Sequence, residues 1–167
     1  MDNSKISVYA MNCFWLLVPI LIFNIIFERQ LPPAFQMDVF WRGIPQSIGM
    51  PENVLRILVT ILPFFMRLRA STPNQRLGLA VYGAGLLAYF SSWILLIVAP
   101  GSAWSRSIFG FMAPAYTPVV WLASIAMIGS DFLIPRIPFK PWMYLVLSTL
   151  FLCFHNLHTY IVYSRGT

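Results

Sequence analysis

Five apolar stretches, separated by short polar or proline-rich segments, divide the chain. They cover residues 6–27, 52–69, 77–98, 117–134 and 142–163. At about 1.5 Å per helical residue, each can cross most or all of the roughly 30 Å of hydrocarbon in a bilayer. The pattern predicts an all-α, polytopic transmembrane bundle of five spans, forming a single integral membrane domain over residues 1–167. A bundle of four spans with a re-entrant or interfacial segment is the alternative.

Prolines set an expectation for the second span. Pro51 suits the first helical turn, where its missing N–H costs nothing. Pro63 lies further inside the same stretch and should kink the helix. Because a proline cannot donate to the carbonyl four residues earlier, we expect the carbonyl of Val59 to lack its usual partner.

Small residues recur in the third span. Ala80, Ala84 and Ala88 follow one another at four-residue spacing, and three glycines (Gly78, Gly83 and Gly85) lie nearby. Small side chains at this spacing let helix backbones approach closely. The pattern predicts that this span is the central packing helix, with its alanine stripe in the interface.

Composition supports a membrane protein. Apolar residues make up 59% of the chain and charged residues 10%, against about a quarter charged in soluble domains. The net charge of +6 comes from residues scattered at span ends, which indicates membrane lipids as partners and argues against nucleic acid. On the side of the N-terminus lie Lys5, Arg67, Arg69, Arg76, Arg136 and Lys140; on the other side lie Arg29, Arg42, Arg106 and Arg165. This excess predicts a cytoplasmic N-terminus.

The last span carries polar groups that hydrocarbon tolerates poorly. His155, Asn156 and His158 interrupt its apolar sequence. Residues three, four and seven apart share one face of a helix. That spacing predicts a polar stripe directed into the bundle, consisting of Tyr144, Ser148, His155, His158 and Thr159.

Depth along the helices indicates which polar residues meet. Counting the helical rise, His155 falls in the leaflet nearer the loops 28–51 and 99–116, whereas Asp131 falls in the opposite leaflet. Glu52 and Arg56 are spaced for an ion pair on one helix, which at the headgroups is expected to be interfacial. We therefore hypothesise a polar cavity under the two loops. Its predicted lining is Asn24, Glu28, Glu52, Arg56, Trp93, His155, Asn156 and His158.

Three functions fit this hypothesis. The first is binding or transport of a small or lipid-like molecule. The second is a membrane-embedded enzyme that modifies a lipid or isoprenoid, with His155 or His158 as the acid-base group and Glu52 as the further catalytic candidate. The third is a non-catalytic subunit that docks another membrane protein, and a homo-oligomer is also left open.

Motifs narrow the chemistry without naming a cofactor. No GxSxG, Walker, HExxH or CxxC pattern is present, which lowers the expectation of hydrolase, nucleotide or redox chemistry. His155 and His158 have a spacing that can chelate a metal, but a site needs a third ligand, so no metal is predicted and the pair stays a weak candidate.

Overall fold

The structure of the protein, a computed structural model, describes residues 11–134 and 138–166, apart from the side chain of Ser130. This part of the chain is nearly all α-helical. The helices are α1 (Val18–Phe27), α2 (Met37–Phe40), α3 (Gln46–Phe65), α4 (Pro73–Val98), α5 (Ala103–Arg106), α6 (Ile108–Tyr116), α7 (Pro118–Ile128) and α8 (Pro141–Gly166). Two short strands, β1 (Met66–Leu68) and β2 (Gly129–Phe132), accompany them.

Five helical segments are long and apolar enough to cross a membrane, as the sequence predicts. They are Cys13–Gln30, Gln46–Phe65, Pro73–Val98, Ile108–Ile128 and Pro141–Gly166. The first joins 3-10 turns to the two ends of α1, and the fourth consists of α6 and α7 in succession. These helices favour a multi-pass membrane protein. Residues 6–10 of the predicted first span lie outside the described residues.

The ends of the second and fourth spans differ from the prediction. Helix α3 begins at Gln46, so Pro51 and Glu52 lie within the helix instead of opening it. It ends at Phe65, and residues 66–68 of the predicted span form β1. Similarly, the predicted interfacial loop 99–116 contains α5 and α6, and the fourth segment starts at Ile108. Both spans differ from the prediction in the same way. Each helical segment ends earlier than predicted, where a strand begins, and also starts earlier, within the predicted loop.

The two strands tie the ends of α3 and α7 together. They are antiparallel, with Met66 opposite Phe132 and Leu68 opposite Gly129. The backbone N–H of Leu68 also donates to the carbonyl of Met11, at 3.1 Å. Pairing satisfies backbone groups where the helices stop, which is essential away from water. The strands therefore close the end of the bundle opposite the loop 28–51.

Helix α4 packs along α7 through glycines. Gly78 and Gly85 are buried there, and a Cβ on Gly85 would lie 2.9 Å from the backbone nitrogen of Trp121. The predicted role of the alanine stripe is wrong, because Ala80, Ala84 and Ala88 are exposed. The glycines, which permit a closer approach than alanine, occupy a different face of the helix from that stripe.

Pro63 and Tyr144 connect α3 to α8. Pro63 lies inside α3, where it cannot donate to the carbonyl of Val59. The hydroxyl of Tyr144, which is fully buried on α8, donates to that carbonyl at 3.3 Å. The expectation of a carbonyl without its helical partner is confirmed, and the hydroxyl of Tyr144 takes the place of the missing backbone N–H. This hydrogen bond fixes α8 against α3 three turns below the histidines.

Candidate functional site

A carboxylate buried inside the bundle is the centre of the site. Glu52 lies in the second turn of α3, and its side chain is 0% exposed. The helix α8 packs against α3 and presents His155 and His158 to it from successive turns. Burial of a carboxylate is costly unless it is paired and hydrogen-bonded. The expected Glu52–Arg56 ion pair is present, and its carboxylate lies inside the bundle; the depth of the pair in a membrane stays a prediction.

Three side chains contact the Glu52 carboxyl group. The guanidinium of Arg56 donates to Oε1, and Nδ1 of His155 lies 2.9 Å from the same oxygen. Nδ1 of His158 lies 2.5 Å from Oε2, the other oxygen. The residues in contact are therefore Glu52, Arg56, His155 and His158. They are the four residues of α3 and α8 with a charge or an imidazole ring that the sequence predicted to line the cavity.

Hydrogen-bond directions fix how many protons this cluster holds. Nε2 of His158 lies 3.0 Å from the carbonyl oxygen of Phe40, and a carbonyl only accepts, so Nε2 carries a hydrogen. The contact of Nδ1 with Oε2 also needs one hydrogen, on either atom. Glu52 and His158 together are therefore neutral: either carboxylate with imidazolium, or carboxylic acid with imidazole.

The contacts of Glu52 also determine which ring nitrogen of His155 carries a hydrogen. Oε1 of Glu52 accepts from Arg56, and the one hydrogen of a carboxylic acid would be used at Oε2. Nδ1 of His155 must therefore donate to Oε1. Its other ring nitrogen, Nε2, makes no hydrogen bond within the part of the chain that the structure describes, so it can accept from or donate to a ligand.

Aromatic rings enclose these polar groups. Phe40 stacks on the ring of His158 with a centroid distance of 4.1 Å, and Trp41 meets its edge at 4.6 Å. The guanidinium of Arg56 lies over Trp41 at 5.5 Å and over Phe151 at 5.8 Å. Aromatic faces attract a cation and exclude water, which strengthens the ion pair beneath them.

A cavity of about 470 Å³ adjoins the cluster. Its wall is mainly aliphatic and aromatic and comes from α1, the segment around α2, α3, α4, the junction of α6 and α7, and α8. The wall residues with polar atoms are Asn24, Glu28, Gln36, Trp41, Arg56, Thr60, Tyr89, Trp93, Trp121, His155 and Thr159. Ile25 and Met37 line it as well and are largely exposed, so the cavity opens between α1 and α2.

The predicted residues divide into three groups around this cavity. Asn24, Glu28, Arg56, Trp93 and His155 line it. Glu52 and His158 lie behind that wall, where they hold Arg56 and His155 in place. Asn156 points elsewhere: its amide donates to the carbonyls of Ala115 and Leu152, at 3.1 and 2.8 Å. Asn156 therefore joins α8 to α6 and does not reach the cavity.

Several wall residues escaped the sequence reasoning. Phe151 stacks on His155 at 5.4 Å, and its position one turn before that histidine was an available signal. Tyr89, whose hydroxyl donates to Oδ1 of Asn24 at 2.9 Å, and Trp121 gave no comparable signal. Trp121 is 8% exposed, and its indole N–H has no hydrogen-bond partner in residues 11–134 and 138–166.

The histidine pair does not form a chelating site. Both ring nitrogens of His158 are engaged, by Glu52 and by Phe40, and His155 directs Nδ1 at the same carboxyl group. Within the described residues, no group of three His, Cys, Asp or Glu side chains is arranged to hold a metal ion.

Asp131 lies apart from the cluster, as expected. It follows α7 at the strand end of the bundle and forms an ion pair with Arg69 at 3.1 Å. Arg136, the partner considered from the sequence, lies outside the described residues. The pair is about half exposed, so it contributes little to stability.

Comparison with known proteins does not assign the site. The chain matches no protein-family model, no curated protein and no solved structure.

Proposed function

We propose that the protein binds an amphipathic, lipid-like molecule in the cavity beside Glu52. The observation that carries the proposal is the asymmetry of the wall: apolar and aromatic over most of its area, with Arg56 and His155 at one place, backed by a buried carboxyl group. Ligand sites combine a mostly apolar surface with few, well-placed polar groups. Arg56 and His155 would orient the polar end, and the aromatic wall would hold the apolar chain.

The cavity has a size and an entrance that suit such a molecule. Its volume of about 470 Å³ lies within the roughly 300–1,000 Å³ of pockets for drug-sized ligands. The exposed side chains at its opening, Ile25 and Met37, are apolar. A ligand dissolved in the hydrocarbon would enter between α1 and α2 past these apolar side chains, with the exposed Glu28 beside the opening. Binding is also the first step of transport, the related function that the sequence suggested.

Filling the cavity tests the proposal. Thr60 lines the cavity, whereas Ile61, the next residue of α3, does not line it and faces outward. We expect amphiphiles to raise the melting temperature of the detergent-purified wild type and of Ile61→Phe. They should not raise that of Thr60→Phe, whose added ring occupies the ligand volume. The panel contains fatty acids, fatty alcohols, alkyl phosphates, prenyl alcohols and sterols.

A second measurement keeps the test independent of the folding of Thr60→Phe. Trp93 and Trp121 line the cavity, so an amphiphile with a brominated chain should quench tryptophan fluorescence of the wild type with saturation. Ile61→Phe should show the same quenching. If no amphiphile stabilises the wild type or quenches it saturably, the proposal is wrong.

Acid-base catalysis is the second candidate, and the contact between Glu52 and His155 favours it. A carboxyl group on Nδ1 fixes the tautomer of a histidine and stabilises the imidazolium that forms when Nε2 takes a proton. In this function Nε2 of His155 would remove a proton from the bound lipid and return it elsewhere on the molecule. Incubation in D₂O followed by mass spectrometry of the recovered lipid distinguishes the candidates, because proton removal and return would introduce deuterium from the solvent, whereas binding alone returns the lipid unchanged.

A further inference from the structure

The charge of the Glu52 cluster restricts which headgroup the cavity can take. Glu52 and His158 are together neutral in either protonation arrangement, and Arg56 adds one positive charge. His155 is neutral when Nε2 is bare and positive when it is protonated. The cluster therefore carries a net charge of plus one or plus two. Its positive group, Arg56, is 39% exposed, whereas the Glu52 carboxyl group that holds it is fully buried.

The acidic residues near the cavity do not reverse this charge. Glu28 is the acidic side chain that lines the cavity within the described residues, and it is exposed at the opening. Asp38 is also exposed and faces Arg42 at 4.0 Å. The charges of Glu28 and Asp38 are therefore screened by water and salt. Arg56, at 39% exposure, is screened less, because Trp41 and Phe151 cover its guanidinium.

We infer that the ligand is an amphiphile with an anionic oxygen headgroup, a carboxylate or a phosphate, held by Arg56 and His155 with a single apolar chain along the aromatic wall. This inference rests on the proposed function and specifies its ligand class. Arg56 donates to Glu52 from one edge of a planar guanidinium that has further N–H groups. Those groups are what carboxylate and phosphate oxygens bind best.

A series of ligands with one chain and different headgroups tests the inference on the wild-type protein. The probes are oleate, oleyl phosphate, oleyl alcohol and oleylamine, added to protein in nanodiscs of phosphatidylcholine, with saturable quenching by a brominated competitor as the readout. Oleate and oleyl phosphate should compete at least about tenfold more strongly than oleyl alcohol, the value of one charge-assisted hydrogen bond. Oleylamine should compete least. The ratio of oleate to oleyl phosphate distinguishes the two anions.

Two variants assign the preference to the site. Arg56→Gln should lose the preference for anions over the alcohol, and Arg56→Lys should keep part of it. Arg29→Gln is the matched control, since Arg29 has the same charge near the opening but does not line the cavity. It should keep the full preference. If Arg56→Gln does not fold, the competition of the four headgroups on the wild-type protein still tests the preference for anions.

The outcomes separate this inference from the proposed function. Equal competition by oleyl alcohol, or stronger competition by oleylamine, would overturn the anionic headgroup and leave amphiphile binding intact. If acetate or inorganic phosphate competes as strongly as oleate or oleyl phosphate, the site binds the anion alone, and the conclusion that the ligand is an amphiphile is wrong. Absence of saturable quenching by the brominated amphiphile would overturn both, whereas competition against it by none of the four oleyl compounds would overturn the headgroup inference alone.

Discussion

Glu52 illustrates how one residue sets the protonation and geometry of its neighbours. Its two oxygens face Arg56, His155 and His158, so its removal would leave the fully buried His158 and the partly exposed Arg56 and His155 without this partner. Glutamine has a different effect. Its amide oxygen can accept from Arg56 and His155, and its NH₂ can donate to Nδ1 of a neutral His158 that still donates to Phe40.

The hydrogen bonds of Glu52 predict a large difference in the free energy of unfolding between two of its substitutions. We expect Glu52→Ala to lower the free energy of unfolding by about 3–5 kcal/mol, because it opens a cavity at a fully buried position and leaves the buried His158 without its partner. Glu52→Gln should cost about 1–2 kcal/mol, because it loses only the charge-assisted part of the bonds. Unfolding in mixed micelles would measure both. Glu28→Gln, an exposed control, should have the stability of the wild type. Equal losses of stability for the two Glu52 variants would contradict the prediction that glutamine keeps most of the hydrogen bonds of Glu52.

The sequence predicted the residues of this cluster better than their arrangement. Four-residue spacing predicted that Glu52 and Arg56 pair, and three-residue spacing predicted that His155 and His158 share a face. The burial of Glu52 was not predictable, because its helix continues upstream to Gln46 and the covering rings of Phe40 and Trp41 come from a separate segment. Contacts between segments leave no periodic signal in either one.

At the scale of elements, the contact of α4 with α7 depends on which small residue faces the partner. Gly83 and Gly85 are close in sequence and differ only in direction. A Cβ on Gly85 would meet Trp121 and Val120 at 2.9 to 3.1 Å, whereas a Cβ on Gly83 would meet nothing within 4 Å. Spacing alone indicated a face of small residues and could not say which face is covered.

Alanine at these two glycines should therefore have opposite effects. We expect Gly85→Ala to destabilise the protein by about 1–3 kcal/mol, because the close atoms belong partly to the backbone of α7 and cannot rotate away. Gly83→Ala should leave stability unchanged or raise it by up to about 1 kcal/mol, since alanine is the better helix former. Because Trp121 lines the cavity, Gly85→Ala should also weaken amphiphile binding. Equal stability of the two variants would contradict this packing.

The two strands show where sequence reasoning about elements fails. The segment from Met66 to Leu68 contains a basic residue after an apolar helix, which resembles a helix end with a side chain reaching the headgroups. Its pairing with Gly129–Phe132 joins positions more than sixty residues apart, and neither strand is long enough to show alternation. A membrane span that is followed by a strand is therefore easily predicted to extend too far at that end, as happened for both 52–69 and 117–134.

For the whole molecule, the number of spans determines which loops share a side. Five spans place the turn around Ser71, between α3 and α4, on the side of the N-terminus, and the turn at Gly101, after α4, on the opposite side. Helix length and apolarity support this count, because these properties are local and can be read from the sequence. The orientation depends on the basic residues at the span ends, and it stays a prediction.

Cysteine labelling tests that orientation directly. In a Cys153→Ser background, whose remaining Cys13 is fully buried, Gly101→Cys should react with a membrane-impermeant maleimide added to intact cells. Ser71→Cys should react only after the membrane is permeabilised, since it lies beside the basic residues that retain a loop in the cytoplasm. The reverse pattern would invert the orientation without changing the fold. Labelling of both sites in intact cells would contradict five spans, and the cavity would then open to the same water as the strands.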